Sequence, residues 1–400
     1  MKLPKAEWRQ RPGLKPLLVA LDAAGGQTRF VGGCVRDTLL GVEASDIDLA
    51  SRLLPEEVVR RLEAAGLKAV PTGIAHGTVT AISAGLPAEV TTLRRDVSTD
   101  GRRATIAFTD DWREDAARRD FTINALSADP VSGEIFDYFG GLDDAKARRV
   151  RFIGDPLTRI AEDHLRILRF FRFHARFGEG EPDSEGLAAC AARANDLMAL
   201  SRERIADELL KLLALPEPEA TVAIMLDQGI FAPIIPEIDG AGLKRLTRLC
   251  ARERQASVPA HALRRFAALL PPDPEVAADV GARLRLSNKA VKRLVASLSP
   301  DHCDAPVRQL AYWLGLESTV DRVLLGDGDP AGVETLAGWT RPPLNLSGGE
   351  LIAMGLPQGP LVARTRGEIE RLWVSEDFPK RERLSEIARA AIAQALRSSQ

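Results

Sequence analysis

The sequence predicts an α/β N-terminal domain, with a mixed sheet and helices, followed by an all-α C-terminal part. Short strand-like runs, separated by Gly-Gly, Pro and Asp-Gly turn signals, occupy roughly the first 140 residues. After Asp155-Pro156 the strand signals fade, and helical periodicity rich in Ala, Leu and Arg replaces them. Strands that alternate with helices, followed by helices alone, are typical of an α/β domain joined to helical domains.

The individual elements are predicted from the period of their apolar residues. The predicted strands are 28–31, 47–51, 78–83, 88–93 and 134–139. The predicted helices are one that starts at Val35, one from Pro55 to Ala65, and later ones over 160–177, 202–213, 219–228, 243–254 and 388–396. The change of periodicity and the Pro-rich joints divide the chain into domains 1–145, 146–215 and 216–400.

The composition indicates a cytoplasmic protein with several folded domains. Hydrophobic residues make up 45% and charged residues 28% of its 400 residues, which is enough for ample cores. The cysteines, at positions 34, 190, 250 and 303, form no C-x-x-C pair, so neither a disulfide framework nor a zinc site is expected. The apolar run Leu17 to Leu21 is too short to cross a bilayer, and the charged first residues are unlike a signal peptide.

Charge is balanced over the whole chain but not along it. The net charge of −2 argues against a general nucleic-acid coat protein. Lys146–Phe177 nevertheless holds nine Lys or Arg against three acids, and Lys244–Arg265 holds seven against one. These stretches favour a local surface for a polyanion. The alternative is that they are solvated helix faces.

The segment SDIDLAS predicts a metal site. In a strand, side chains alternate, so Asp46 and Asp48 project to one face while Ile47 and Leu49 project into the core. The two carboxylates would repel each other unless a hard cation lay between them, and Mg²⁺ with triphosphate oxygens is the natural occupant. Taken alone, a D-x-D pattern also occurs by chance.

The preceding segment FVGGCVRDTLLG predicts a phosphate site. Gly32 and Gly33 let backbone amides approach an anion without a Cβ in the way, and the N-terminus of the following helix faces the same anion. The planar guanidinium of Arg36 adds a positive charge that can bond the same anion. Downstream, Glu89 starts another predicted strand as a third candidate carboxylate, although it also fits the surface charge of an edge strand.

In their order along the chain, these motifs resemble those of the class II tRNA nucleotidyltransferase and poly(A) polymerase family, within the polymerase-β-like nucleotidyltransferases. The matching segments are FVGGCVRDTLLG with DIDL, GTVTAI, EVTTLRRD, RRDFTINAL and AEDHLRILRFFRF. They cover residues 28–177 densely. Beyond that range only SRERIADELLKLL and LSGGELIAMGLPQGPLV are similar.

The resemblance implies a function and a role for each domain. The activity is the addition of C, C and A to the 3′ end of tRNA from CTP and ATP, with Mg²⁺ as cofactor and release of pyrophosphate. The resemblance implies that residues 1–145 form the nucleotidyltransferase catalytic head. Residues 146–215 are then a helical domain that binds the nucleotide base and RNA, and residues 216–400 are a tRNA-binding body and tail. No membrane contact and no obligate protein partner are expected.

The resemblance also implies roles for single residues. Asp46 and Asp48 hold the metals, with Glu89 in the catalytic set, and Gly33 and Arg36 bind the triphosphate. Arg119 and Asp120 contact its phosphate and ribose, Asn124 supports their pocket, and Arg169 and Arg172 brace the pocket or the phosphates. Read from the residues alone, RRD before a strand-like FTINAL places a cation beside a hydroxyl acceptor, or is a charge cluster that ends a helix.

The family assigns base selection to Asp163 and Arg166. On a helix Arg166 follows Asp163 by three residues and Glu162 by four, so carboxylate and guanidinium lie on one face. Cytosine and adenine both present an amino donor beside a ring-nitrogen acceptor, which an Asp acceptor beside an Arg donor would match. Guanine and uracil reverse that order and would leave buried groups unpaired. The alternative is an ordinary surface ion pair.

The polar stretch from Leu93 to Arg118 predicts a mobile loop or hairpin. In the family a flexible element here accompanies the switch from C to A addition, so its presence favours full CCA addition. The competing functions are a poly(A) polymerase of the same family and a non-catalytic RNA-binding protein that kept the fold. The sequence contains no P-loop motif, which argues against a P-loop NTPase.

Overall fold

Strands and helices alternate through the first part of the chain, and most of the strands join in one mixed sheet. The structure is a computed structural model that describes residues 1–44, 46–99, 104–300 and 305–398, without the side chains of 96–99 and 104–105. Within these residues the chain divides into two compact units, Met1–Pro236 and Glu237–Gln400. An α/β head followed by helices confirms the predicted fold class.

The sheet of the first unit places β2 in its interior. In the described residues its strand order is β3-β4-β5-β2-β1-β8-β9, and β6 and β7 form a separate hairpin. The strands are β1 Thr28–Val31, β2 Asp48–Ser51, β3 Lys68–Gly73, β4 Thr78–Ser83, β5 Leu86–Thr92, β6 Arg94–Thr99, β7 Ala104–Phe108, β8 Ser127–Ala128 and β9 Ile135–Phe136. β2 pairs antiparallel with β1 and parallel with β5.

One face of this sheet packs on helices, and part of the opposite face, at Val31 and Ala50, is buried with Leu93 and Trp112. Along β4 and β5, Val79, Ala81 and Val90 are buried, whereas Thr80 and Glu89 point the other way, as the two-residue period requires. The first-unit helices are α1 Leu14–Ala20, α2 Gly33–Leu40, α3 Pro55–Ala64, α4 Trp112–Ala117, α5 Gly141–Lys146, α6 Pro156–Glu162, α7 Arg166–Phe177, α8 Ser184–Ala192, α9 Arg202–Leu213 and α10 Glu219–Asp227. Apolar residues of α1 and α3 join those of the sheet in one core.

The structure differs from the sequence prediction at several places. The helix predicted from Ile160 to Phe177 is two helices, α6 and α7, because the backbone at Asp163 is extended (φ −152°, ψ 106°). The segment FTINAL is not a strand: Thr122–Asn124 forms a short 3-10 helix before β8. The strand predicted over 134–139 shrinks to β9, because residues 137–139 form a turn held by the Asp137 carboxylate.

The second unit is all helical in its described residues. Its helices are α11 Gly240–Gln255, α12 Ala262–Leu269, α13 Pro274–Arg283, α14 Asn288–Leu298, α15 Val307–Leu314, α16 Leu316–Leu325, α17 Gly348–Ala353, α18 Pro360–Ser375 and α19 Arg381–Arg397. No described helix combines the length and the apolar character needed to cross a bilayer.

The basic stretch Lys244–Arg265 does not form a single free surface. Arg264 bonds both Glu253 and Asp321 at 2.7 and 2.8 Å, and Arg265 bonds Glu253 at 2.8 Å, all four side chains being buried. Arg252 donates to the carbonyl oxygens that end α16, where cations compensate the helix dipole. Much of this charge therefore holds helices together, because an arginine can satisfy several acceptors at once.

Candidate active site

The turn between β1 and α2 exposes backbone where an anion can approach. Gly32 has φ +64° and ψ −121°, and α2 begins at the next residue. A Cβ at Gly32 would lie 2.9 Å from Nη1 of Arg119, and one at Gly33 would lie 3.8 Å from Nη2 of Arg36 and 3.9 Å from Oδ2 of Asp48. Glycine at position 32 therefore allows both the left-handed turn and the close approach of Arg119.

Asp48 is the first residue of β2 and lies opposite Glu89 of β5. The strand begins at Asp48 rather than at Asp46, which precedes it and is exposed. Ile47 and Leu49 are both buried, so the predicted alternation does hold the aspartates away from the core. The amide of Glu89 donates to the carbonyl oxygen of Ile47 at 3.1 Å, which fixes the two strands in register.

These carboxylates crowd one another. Burial first, and then the charges of Glu89 and Asp46, together raise the pKa of Asp48 to about 6, against the opposing effect of Arg119. A bound cation would remove this cost, and carboxylate oxygens are the ligands that hard divalent cations prefer. In the described residues no three His, Cys, Asp or Glu side chains are arranged to hold a metal by themselves. A cation here would need further ligands, such as phosphate oxygens and water.

Arg36 projects from the first turn of α2 and is buried. Its Nη1 donates to Oδ1 of Asn124 at 2.5 Å, its Nε donates to Oδ1 of Asp37 at 2.7 Å, and its guanidinium carbon lies 4.2 Å from the ring centre of Phe177. Burial lowers the pKa of the guanidinium, and the charge of Asp37 opposes that effect. A fixed cation thus stands beside the glycine turn.

Asp120 is the centre of a second set of bonds in the same region. It accepts from Arg169 at 2.6 and 2.8 Å and from Nδ2 of Asn124 at 2.9 Å. Burial alone would raise the pKa of the Asp120 carboxyl, but Arg169 and Asn124 hold it below its usual value. Arg119 donates to the backbone oxygen of Asn124 at 3.3 Å and to Asp115 at 3.3 Å.

Asp163 and Arg166 both line the site, and the backbone amide of Arg166 donates to the backbone oxygen of Asp163 at 3.0 Å, but their side chains bond other residues. Asp163 lies in the break between α6 and α7, where its carboxylate accepts from Nη2 of Arg204 at 2.8 and 3.1 Å. Arg166 donates to Glu162 and to the backbone oxygen of Arg118. The two candidate base readers thus have separate supports.

A cavity of about 440 Å³ collects most of the predicted residues. It is lined by Gly32, Gly33, Arg36, Asp48, Arg119, Asp120, Asn124, Asp163, Arg166, Arg169 and Phe173. Of the other predicted residues, Asp46 and Glu89 lie beside Asp48 outside this lining. Arg172 lies behind it, where its Nε donates to Glu208 at 2.6 Å.

Sequence reasoning missed three residues of this region. Phe173 lines the cavity, Arg204 holds Asp163, and Glu208 holds Arg172. Arg204 and Glu208 are four residues apart in SRERIADELLKLL, which places them on one face of α9. This spacing indicates that Arg204 and Glu208 act on the same side of the helix, but it does not predict which residues they contact.

Comparison with known proteins identifies the family. Residues 28–151 match the family described as Poly A polymerase head domain, and residues 181–241 match Probable RNA and SrmB- binding site of polymerase A. The chain is 33% identical over 369 residues to the CCA-adding enzyme of Limosilactobacillus fermentum, which covers 88% of this chain and 89% of that protein. It is 40% identical over 254 residues to the mouse mitochondrial CCA tRNA nucleotidyltransferase 1.

The extent of these matches differs between relatives. The match spans 62% of this chain and 58% of the mouse protein, so the chain covers under two thirds of that relative's length. Among solved structures, the Bacillus stearothermophilus CCA-adding enzyme in complex with CTP is 28% identical, with a TM-score of 0.74, and the match covers 92% of this chain and 94% of that one. The chain therefore belongs to the class II CCA-adding enzyme and poly(A) polymerase family of nucleotidyltransferases.

Proposed function

We propose that the protein adds C, C and A to the 3′ end of tRNA, using CTP and ATP and releasing pyrophosphate. The observation that carries this proposal is the shared cavity, in which Asp48, Gly33 and the candidate base readers Asp163 and Arg166 meet. Relatives of similar length are named CCA-adding enzymes. Structures of family members with CTP, ATP and tRNA support the proposed substrates.

The reaction joins the tRNA 3′ oxygen to the α-phosphorus of the triphosphate and breaks the bond to pyrophosphate. Asp46 and Asp48 would hold Mg²⁺, which supplies Lewis-acid stabilisation of the attacking oxygen and of the departing pyrophosphate. The exposed amide at the start of α2 and the cations Arg36 and Arg119 would bind the triphosphate oxygens. Because Arg36 is already held by Asp37 and Asn124, it needs no reorganisation to do so.

The pocket would select the base through hydrogen-bond direction. Asp163 would accept from the amino group of cytosine or adenine, and Arg166 would donate to the neighbouring ring nitrogen. A guanidinium carries more N–H groups than the bonds to Glu162 and to backbone oxygens use. The ion pair between the buried Asp120 and the half-buried Arg169 would brace the pocket. Uracil and guanine would leave Asp163 and Arg166 unpaired while shielding them from water, which is costly.

We further propose that the domains divide the work as the sequence indicated. Residues 1–145 carry the carboxylates and the glycine turn, and 146–215 carry the base readers. Residues 216–400 would hold the body of the tRNA. A cytoplasmic location fits Cys34 and Cys190, which are buried thiols rather than disulfides, as expected in a reducing compartment.

The product length tests the proposal. Purified protein with Mg²⁺ receives tRNAs that end at the discriminator base, in C or in CC, each with a single labelled triphosphate. Addition of C, C and then A, with arrest after the third nucleotide, is expected. Long runs of A would identify a poly(A) polymerase instead. RNA binding without any addition would identify a non-catalytic RNA-binding protein.

A further inference from the structure

One face of α9 reaches two walls of the nucleotide cavity. Arg204 bonds Asp163, and Glu208, one turn later, accepts from Nε of Arg172 at 2.6 Å and lies 3.8 Å from Nη1 of Arg169. α9 lies 25 residues beyond the end of α7, so no local sequence pattern links these pairs.

Asp163 has no helix to fix its side chain. It follows the last residue of α6 in an extended conformation, and α7 begins only at Arg166. The amide of Leu165 donates to Oδ1 at 3.1 Å, and Nη2 of Arg204 donates to Oδ1 at 3.1 Å and to Oδ2 at 2.8 Å. These bonds set the plane of the carboxylate.

The two oxygens of Asp163 are not equivalent. In the described part of the chain, Oδ1 receives bonds from Leu165 and Arg204, whereas Oδ2 receives a bond from Arg204 alone. A carboxylate oxygen accepts more than one hydrogen bond. Oδ2 is therefore the atom with capacity for the amino group of a base.

Arg204 is itself held in place by the packing of α9. Ile205, Leu209 and Leu212 on the same helix are buried, and Glu208 is buried against α7. Because the helix backbone is fixed and the guanidinium fork is planar, Arg204 loses less freedom for each hydrogen bond that it forms with a carboxylate than a more flexible cation would. The ion pair is partly exposed, with side-chain exposures of 33% for Arg204 and 31% for Asp163, so its charge is open to screening by salt and its geometry is the larger contribution.

We propose that Arg204 is a positioning residue that determines nucleotide specificity by holding the Asp163 carboxylate toward the base. The inference rests on the proposed function, since it gives Asp163 the role of base reader. Without Arg204, Asp163 could rotate away from the base, and the pocket would lose the acceptor that favours an amino group. Specificity for C and A would then depend on a residue that does not touch the nucleotide.

The experiment measures kcat/KM for all four triphosphates on a tRNA that ends before the first C. It compares wild type with Arg204→Ala, Arg204→Lys, Asp163→Ala and the double variant. Lys211→Ala is the matched control, because it removes an exposed ion pair with Asp207 on the same helix. Circular dichroism and a thermal melt check that each variant is folded.

Arg204→Ala is expected to lower the preference for CTP over UTP about tenfold, mainly through a higher KM for CTP. Arg204→Lys should keep part of the preference that Arg204→Ala loses, because lysine retains the positive charge but not the planar guanidinium. If Arg204 acts through Asp163, the double variant should discriminate no worse than Asp163→Ala alone. Lys211→Ala should match wild type.

Three different results would separately refute the proposed function, the role of Asp163 and the role of Arg204. If wild type adds no nucleotide, the proposed function fails and the inference fails with it. If Asp163→Ala keeps the wild-type preference, Asp163 is not a base reader. If Asp163→Ala loses the preference while Arg204→Ala keeps it, or lowers the use of all four triphosphates equally, only the role of Arg204 is refuted.

Discussion

Asp48 and Glu89 face each other across the parallel pair of β2 and β5. Neighbouring strands of a sheet lie about 4.8 Å apart, so two carboxylates in this register interact strongly. The pKa of Asp48 rises to about 6 through burial and then through the charge of Glu89. This part of the head therefore stores unfavourable electrostatic energy until a cation is bound.

Replacing Asp48 by Asn should stabilise the metal-free protein. For an acid, a folded-state pKa above the unfolded value means that the charged form is disfavoured by folding. The cost is absent below pH 3.8, grows toward pH 6 and is complete above it. Asp48→Asn should therefore raise the free energy of unfolding at pH 7 by on the order of 1–3 kcal/mol.

Thermal melts in a chelator, at pH 4 and pH 7, measure this effect. The gain should be present at pH 7 and small at pH 4. The exposed Asp110→Asn serves as control. Equal melting temperatures for Asp48→Asn and wild type at both pH values would show that the charged form of Asp48 is not destabilised by burial and by Glu89.

Asp46→Ala and Asp48→Ala should each abolish nucleotide addition. The lost groups would hold metal rather than core, so folding and tRNA binding should survive. A loss of about 10³-fold or more in kcat corresponds to several kcal/mol of transition-state stabilisation. Single-turnover assays together with a tRNA-binding titration make the comparison, and activity within about tenfold of wild type in both variants would refute the metal assignment.

Gly32→Ala should weaken triphosphate binding. Its φ of +64° disfavours a side chain, and the added Cβ would lie 2.9 Å from Nη1 of Arg119, so Arg119 must move. Gly41→Ala is a matched control, because Gly41 has φ +70° and no atom within 4 Å of an added Cβ.

Gly41→Ala should lose about 1 kcal/mol of stability through backbone strain, and Gly32→Ala about 1–3 kcal/mol, because the ψ of −121° at Gly32 lies outside the left-handed helical region. Only Gly32→Ala should raise KM for both CTP and ATP. Steady-state kinetics and thermal melts on the two variants separate strain from the displacement of Arg119. A parallel rise in KM for Gly41→Ala would assign the effect to strain alone.

Shortening the hairpin by removing part of 95–103 should spare the addition of both C residues and impair the final A. The strands β6 and β7 are paired from Arg94↔Phe108 to Thr99↔Ala104, and the tip, 100–103, lies outside the described residues. Product lengths on tRNAs ending in C and in CC give the result. If the rates of C and A addition fell together, the hairpin would have only a structural role and no specific role in adding the final A.

Arg166→Ala should weaken the use of CTP and ATP alike, whereas Asp163→Ala should chiefly relax the exclusion of UTP and GTP. The first change deletes a donor that both correct bases need. The second deletes an acceptor that the wrong bases cannot satisfy. The discrimination should change by about 1–3 kcal/mol, or roughly 5- to 150-fold in relative kcat/KM.

A thermal melt must accompany this comparison. Arg166 also bonds Glu162 and the backbone oxygen of Arg118, so part of its loss will be structural. Unchanged exclusion of UTP and GTP in Asp163→Ala would leave the carboxylate as no more than a partner of Arg204.

Local sequence patterns predicted two of the strands to the residue. β1 and β4 occupy the predicted residues, 28–31 and 78–83, because short runs rich in β-branched and aromatic residues beside turn-forming glycines favour strands. The spacing of Asp46 and Asp48 correctly kept both out of the core, at the start of the interior strand β2.

The contacts that define the cavity were not predictable in this way. The pair Arg204 and Asp163 joins residues 41 positions apart, and Arg172 and Glu208 are 36 apart. Such pairs depend on how helices pack, which periodicity does not encode. The break at Asp163 was missed because Ile160 to Phe177 has uninterrupted helical periodicity and no Gly or Pro to end the helix.

The hairpin β6-β7 pairs with no other strand in the described residues, whereas β2 is bonded on both sides. Changes in the length of a surface hairpin cost little loop-closure entropy and need not disturb the ladder that carries Asp48. Insertions and deletions there could thus accumulate over generations while the reacting centre stays intact. If the hairpin governs addition of the final A, as predicted above, that step and the chemistry of transfer are free to evolve at separate rates.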